Sequence, residues 1–262
     1  MGERLWYCTR QRAGPLVKEC RALRPRLSAD DTPWERREKN KILVPPRDSA
    51  VCHSTVDRLE LRLALFGFEG CCYTLTFDDD HLPLNFRNAR AAARNFWCKL
   101  QRWNGGQAFD RVSLIEGKHG DRRYHLHAVL RYGQFPPSLI QHLWTAGFVD
   151  DEPLLRGPAD SYRRMARYYT KESTDGIIIP TGSRPWTSSR TLTRQLPPPK
   201  KWMSTSGNIR IPKDAYACGR NQVQNEFGVY NYAWYIEKAP GYSFLQRNLK
   251  YSRIIRTFKK RR

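Results

Sequence analysis

Residues 124–131 run Tyr-His-Leu-His-Ala-Val-Leu-Arg, and no other stretch constrains the fold as tightly. Alternate side chains of a strand share a face. Leu126, Ala128 and Leu130 therefore point into a core, while His125, His127 and Val129 line the opposite face. Residues 111–116 have matching strand character. The seven residues between, Gly117 to Arg123, hold two glycines among polar side chains, as a hairpin loop does. Pairing Glu116 with His125 sets Leu114 across from His127 and Val112 across from Val129. Glu116 then shares the face of both histidines, about 4.5–5.5 Å from His125 between Cβ atoms. Two imidazoles, one carboxylate and open positions suit a divalent ion that must also bind a phosphate oxygen. The same pattern describes two surface histidines on a half-buried strand, and a His-x-His alone does not separate the two.

A helix is expected from Pro158 to Lys171, with proline favourable at its first position. Tyr162, Met165, Ala166 and Tyr169 recur at helical spacing and form an apolar stripe, while Arg164, Tyr168 and Lys171 fall on another face. Periodicity thus separates two adjacent tyrosines, Tyr169 for packing and Tyr168 for solvent. A phenol with a pKa of about 10 is a poor nucleophile at neutral pH. A cation such as Lys171 would favour the phenolate or steady a phosphate in reaction. An amphipathic helix with an exposed tyrosine and lysine is the plainer alternative.

The other elements are a helix over 56–68, a strand over 71–77, and a helix over 85–103 whose stripe is Phe86, Ala89, Ala93, Phe96, Trp97 and Leu100. Arg87, Arg90, Arg94 and Arg102 lie largely off that stripe, either as a solvated face or as phosphate contacts. A helix over 136–146 and strands at 177–179 and 227–236 follow. Residues 1–55 and 180–213 are expected to be mostly irregular, and the chain ends in a basic tail, Phe258 to Arg262.

Charge narrows the function classes. The chain has 262 residues with 46 Lys and Arg against 25 Asp and Glu, a formal net charge of +21. Such a balance calls for a polyanion. The 8 Trp, 13 Tyr and 11 Phe interleaved with the cations favour nucleic acid with unpaired bases. No run of 18 apolar residues or signal-length apolar start is present, so neither a membrane span nor a membrane partner is expected. The seven irregularly spaced cysteines suit reduced thiols in a cytoplasm. A zinc site from Cys8, Cys20, Cys52 and His53 lacks any Cys-x-x-Cys spacing.

In order, Tyr73-Thr74-Leu75-Thr76-Phe77, His125-Leu126-His127 and Tyr168-Tyr169-Thr170-Lys171 resemble the three motifs of the HUH endonuclease superfamily, and in particular the rolling-circle replication initiators of single-stranded DNA phages and plasmids. Glu116 stands where several members place a third metal ligand. Trp186 to Leu192, with Arg190, is similar to an Arg-containing segment that follows the third motif. The resemblance covers roughly 68–195, giving a basic N-terminal extension at 1–67, a nuclease domain at 68–195 and a C-terminal extension with a basic tail at 196–262.

What the resemblance implies is an α+β domain, a central antiparallel sheet with flanking helices close to the ferredoxin or RNA-recognition fold. It also implies a metal site of His125, His127 and Glu116 on the exposed sheet face, holding Mg²⁺ or Mn²⁺. Tyr168 would attack a phosphate of single-stranded DNA at a replication origin, leaving a 5′-phosphotyrosine link and a free 3′-hydroxyl, with Lys171 assisting; the reverse reaction rejoins ends. Arg87, Arg94, Arg164 and Arg190 are the expected DNA contacts, and a host polymerase and helicase the expected partners, since no Walker-type phosphate loop is present. Some members carry a second tyrosine four residues earlier; here that position is Arg164, so a single-tyrosine enzyme is implied. An HUH transposase or relaxase, or a non-catalytic single-stranded nucleic-acid-binding protein, are the alternatives.

Overall fold

The computed structural model describes residues 5–23, 32–35, 53–117, 124–157, 160–171, 186–225 and 228–238. The chain is α+β, and its strands form two antiparallel five-stranded sheets. The first sheet has the order β6-β3-β5-β4-β7. Its strands are β3 (Gly70–Phe77), β4 (Val112–Glu116), β5 (His125–Arg131), β6 (Gly147–Pro153) and β7 (Thr187–Ser188).

Both faces of this sheet are covered. Cys71, Tyr73, Leu75 and Phe77 of β3 join Leu126, Ala128 and Leu130 of β5 under helix α2 (Phe86–Trp103) and helix α3 (Pro137–Leu143). Helix α2 buries Ala89, Ala93, Phe96 and Leu100, and the Asn85 side chain caps it by accepting from the Asn88 amide. On the opposite face, Cys72, Val112, Leu114 and Val129 pack against helix α1 (His53–Ala64) and helix α4 (Tyr162–Lys171). The histidine face is therefore roofed over its Val129 end rather than open along its length. Leucines 59 and 63 of α1 meet Tyr162, Met165 and Ala166 of α4 there.

Helix α3 stops short of the expected Ala146. Its carboxyl end turns at Trp144, whose indole nitrogen donates to the Thr76 carbonyl at 3.2 Å, and the chain then enters β6. Gly147 makes that entry possible. Its φ is +145°, and a Cβ there would stand 2.2 Å from the Thr76 carbonyl oxygen. Strand β6 has no sequence signal, because Asp150-Asp151-Glu152 disfavours a strand by composition. Helix α4 begins at Tyr162, after a turn in which the Asp160 carboxylate accepts from the amides of Arg156 and Ser161.

The expectation that residues 1–55 are irregular is overturned over 6–23. Strands β1 (Trp6–Ala13) and β2 (Leu16–Leu23) form a hairpin, and β8 (Lys200–Ser204), β9 (Ala217–Asn225) and β10 (Gly228–Ile236) complete the second sheet in the order β8-β1-β2-β10-β9. The 180–213 stretch also holds β7 and the short helix α5 (Arg190–Arg194). The two flanks drawn from sequence as separate extensions are thus hydrogen-bonded into one sheet. Gly14, at φ +51°, turns the first hairpin against α1, where a Cβ would lie 2.3 Å from the Ala64 carbonyl oxygen. Ala13, Leu16 and Ile236 then enter the same core as Leu59 and Leu63.

Ion pairs fasten α1 between its neighbours. Lys18 of β2 and Arg163 of α4 both reach Asp57 and Glu60 of α1, at 2.5–3.0 Å. Burial raises the Asp57 carboxyl, but Lys18 and Arg163 outweigh it and hold the group below its ordinary value. The expected strand at 177–179 and the basic tail lie outside the described residues.

Candidate functional site

The hairpin register is the one read from sequence. Glu116 pairs with His125, Leu114 with His127 and Val112 with Val129. Side-chain geometry adds a diagonal. The Glu116 carboxylate reaches past its direct partner to His127, with 2.5 Å between Oε2 and Nε2. His127 is 6% exposed, enclosed by the roof of α4.

Strand β3 supplies what lies beneath the histidines. Thr74 pairs with His127 and Thr76 with His125. Each threonine hydroxyl shares a hydrogen bond with the Nδ1 of its partner ring, at 3.2 and 3.1 Å. Alternation explains the pattern, since Tyr73, Leu75 and Phe77 go to the core and the threonines between them go to the site. Fixing Nδ1 orients each ring and leaves Nε2 for another partner, the arrangement found behind metal-bound histidines.

Helix α4 brings both tyrosines over the sheet with different outcomes. Tyr169 is 5% exposed and packs in the core, its ring 5.6 Å from that of His127. Tyr168 is 43% exposed, its ring edge-on to His127 at 6.4 Å. Both lie on a cavity of about 420 Å³ that Thr74, His127, Asp150, Glu152 and Arg164 also line. Burial raises the Tyr168 phenol, and the charges of Glu116 and Glu152 raise it further, while Arg156 opposes them. Among the described residues the charges that act on Tyr168 are thus two carboxylates and one guanidinium. Lys171 closes α4, and its side chain lies outside the described residues.

The expected arginines are dispersed. Arg164 lines the cavity, but Asp160 grips it from two sides, at 2.6 Å to Nε and 3.0 Å to Nη2. Arg190 is on α5, which follows the edge strand β7. Arg87 and Arg94 are exposed on α2, which covers the opposite face of the sheet, so neither reaches the tyrosine cavity.

Three contributors were not singled out in the sequence. Asp150 and Glu152 pair with Thr74 and Cys72 and so share their face. Phe148 pairs with Thr76, which continues the cross-strand row Glu116, His125, Thr76. Its ring is 61% exposed at the sheet edge. The only sequence signal for it was an aromatic just after Gly147.

Among the described residues no three His, Cys, Asp or Glu side chains are gathered in metal-holding geometry. The His125 and His127 rings are 6.4 Å apart, and the Nε2 of His127 faces the Glu116 carboxylate. The donor set fits a divalent ion chemically, with both Nδ1 atoms occupied and one carboxylate already at an Nε2. The zinc alternative does not fit. Cys8 pairs with Arg21 while Cys20 pairs with Thr9, which puts the two thiols on opposite faces of the β1–β2 hairpin.

No family model matches the chain, and neither a curated protein nor a solved structure matches it.

Proposed function

We propose that this chain is a single-tyrosine replication initiator endonuclease of the HUH type, nicking single-stranded origin DNA for rolling-circle replication. On this reading the first sheet and its helices are a ferredoxin-like nuclease domain. The observation that carries it is the meeting of three separate sequence stretches on one sheet face. The threonines of β3 hold the histidines of β5, and α4 suspends Tyr168 beside them over a single cavity.

In the proposed reaction the Tyr168 oxygen forms a bond to phosphorus and the 3′-oxygen of the neighbouring nucleotide leaves. The product is a 5′-phosphotyrosine link, which keeps the phosphodiester energy, so ends are rejoined when a 3′-hydroxyl attacks it. Mg²⁺ or Mn²⁺, held by His125, His127 and Glu116, supplies charge stabilisation at the phosphate. Thr74 and Thr76 orient the imidazoles, and Phe148 offers a ring to a base beside the reacting phosphate. Arg164, Arg190 and the Lys171 ammonium are assigned to the DNA strand and the phosphate. The expected setting is a host cytoplasm with host polymerase and helicase. Among the described residues no helix is long and apolar enough to cross a membrane.

The test is a denaturing gel of the protein with a pool of randomised single-stranded oligonucleotides and Mn²⁺. A covalent protein–DNA band that disappears in EDTA and in Tyr168→Phe supports the reading. Tight DNA binding with no band under any metal condition makes the protein a non-catalytic binding module instead.

A further inference from the structure

Helix α2 lies on the far side of the first sheet from Tyr168, and the nuclease reading gives its arginines no task. The helix runs for 18 residues with five Lys and Arg and no acid. Lys99 is engaged, donating to the Leu143 carbonyl and the Thr145 hydroxyl. The other four, Arg87, Arg90, Arg94 and Arg102, are exposed and make no ion pair among the described residues. At about 3.6 residues per turn they fall within roughly 120° of one another, while Ala89, Ala93, Phe96 and Leu100 turn the other way into the core. From Arg87 to Arg102 this ridge is about 22 Å long.

No carboxylate among the described residues neutralises it. Helix α3, packed on the same face of the sheet, also has no acid. Asp78, before α2, is taken by His81, and Asp110, past its end, by Arg131 and Gln195. Asp79 and Asp80 stand in the turn before α2 and pair with none of the four arginines.

Such a ridge meets a polyanion. Its lack of free rings decides which one. A single strand is held by cations together with aromatic rings that stack on unpaired bases. Trp97, three residues on from Arg94, is already covered by the Arg111 guanidinium, at 5.1 Å. Trp103 is exposed but falls about 160° around the helix from Arg87. A contact made of charge alone gains most from the polyanion with the densest charge. Each phosphate neutralised on a duplex releases about 0.9 of a counterion, against about 0.7 on a single strand. A rigid row of cations also lies along a stiff duplex without having to order it, whereas a flexible strand would lose conformational freedom.

We propose that the exposed face of α2 is a docking surface for the phosphate backbone of duplex DNA, with Arg87, Arg90 and Arg94 as its main contacts and Arg102 extending them. The inference goes beyond the nuclease reading and does not depend on Tyr168. It gives the protein a hold on duplex from the side of the sheet that the tyrosine cavity leaves unused.

The test is fluorescence anisotropy in EDTA with a labelled random-sequence duplex of about 20 base pairs, roughly three times the length of the ridge, and with oligo-dT of the same length. The triple variant Arg87→Gln/Arg90→Gln/Arg94→Gln keeps good helix formers on an exposed face, so its melting temperature should match wild type. Its duplex affinity is expected to fall at least about tenfold at about 50 mM salt. The logarithmic salt slope should fall by about 2.7, from about 0.9 for each phosphate contact. The slope on oligo-dT should change by less than half as much. Arg87→Lys/Arg90→Lys/Arg94→Lys keeps the charges and should keep the wild-type duplex slope. Unchanged duplex affinity and slope in the glutamine variant overturn the proposal. An equal slope loss on oligo-dT also overturns it and makes the ridge a single-strand contact. So does capture of wild type but not of the glutamine variant on phosphatidylserine vesicles with duplex binding alike for both, which makes the ridge a membrane contact. If wild type forms no covalent band but the glutamine variant still loses duplex binding, the nuclease reading falls and the ridge stands. A covalent band with duplex binding unchanged in the variant does the reverse.

Discussion

Replacing Thr74 by Val deletes one hydroxyl and keeps the branched shape, so the change isolates a single hydrogen bond. That hydroxyl is 3.2 Å from Nδ1 of His127, a nearly buried ring whose Nε2 meets Glu116 at 2.5 Å. A bond of this kind contributes about 1 kcal/mol to stability, and the strand pairing around it is untouched. The effect on metal should be larger. Partners behind a ligating histidine typically govern about 10- to 100-fold in metal affinity or activity. We expect the Mn²⁺ concentration for half-maximal covalent adduct to rise at least about tenfold in Thr74→Val, equivalent to about 1.4 kcal/mol. Adduct yield should recover at saturating Mn²⁺. The assay is adduct formation over a Mn²⁺ titration, with calorimetric Mn²⁺ binding and thermal melting in parallel. A variant that melts slightly lower but shows the wild-type Mn²⁺ dependence refutes the argument, because the hydroxyl would then be only a packing contact.

Four further outcomes follow from the same geometry. Tyr168→Phe should abolish the adduct and leave oligonucleotide binding intact, whereas Tyr169→Phe should keep the adduct; the reverse pattern on a denaturing gel would move the nucleophile into the core. Because burial and the charges of Glu116 and Glu152 raise the Tyr168 phenol, adduct formation should accelerate with rising pH above neutrality, and Glu152→Gln should shift that alkaline limb to lower pH in rate measurements. Glu60→Gln should cost about 3 kcal/mol in chemical denaturation, the low end for a broken buried pair, since Lys18 and Arg163 keep Asp57. Asp57 is held below its unfolded value, so its share of stability is present above the ordinary carboxylate range and lost as pH falls through the lowered value; an acid melt of Asp57→Asn should show a shallower decline.

Sequence showed what depends on local periodicity. The alternation of β5 fixed its two faces, and the stripe of α4 separated Tyr168 from Tyr169. The hairpin register followed from pairing Glu116 with His125. What it concealed depends on contacts distant in sequence. Strand β1 carries Arg10 and Arg12 and looks irregular, because its partner β8 is supplied by residues 200–204 and its arginines are balanced by Glu19 and Glu237. The acidic β6 is a strand because β3 offers it an edge and Gly147 permits the approach. The diagonal from Glu116 to His127 depends on side-chain torsions that no residue spacing specifies. Of the two carboxylates that act on Tyr168, Glu116 was legible on the hairpin face, while Glu152 was hidden with β6.

The weaving of both chain ends into one sheet has a consequence for the order of synthesis. Gln11 bonds to Pro197 across 186 positions, and Arg12 pairs with Glu237 across 225. Pairings so far apart form late, because the loop between them must first be closed. On a ribosome the first sheet can assemble while the β1–β2 hairpin still lacks both of its neighbouring strands. Only when residues 200–236 have emerged are those two bare edges covered. Stalled or prematurely terminated chains would therefore display open strand edges and should aggregate or be degraded, leaving chains translated through β10 as the ones that persist.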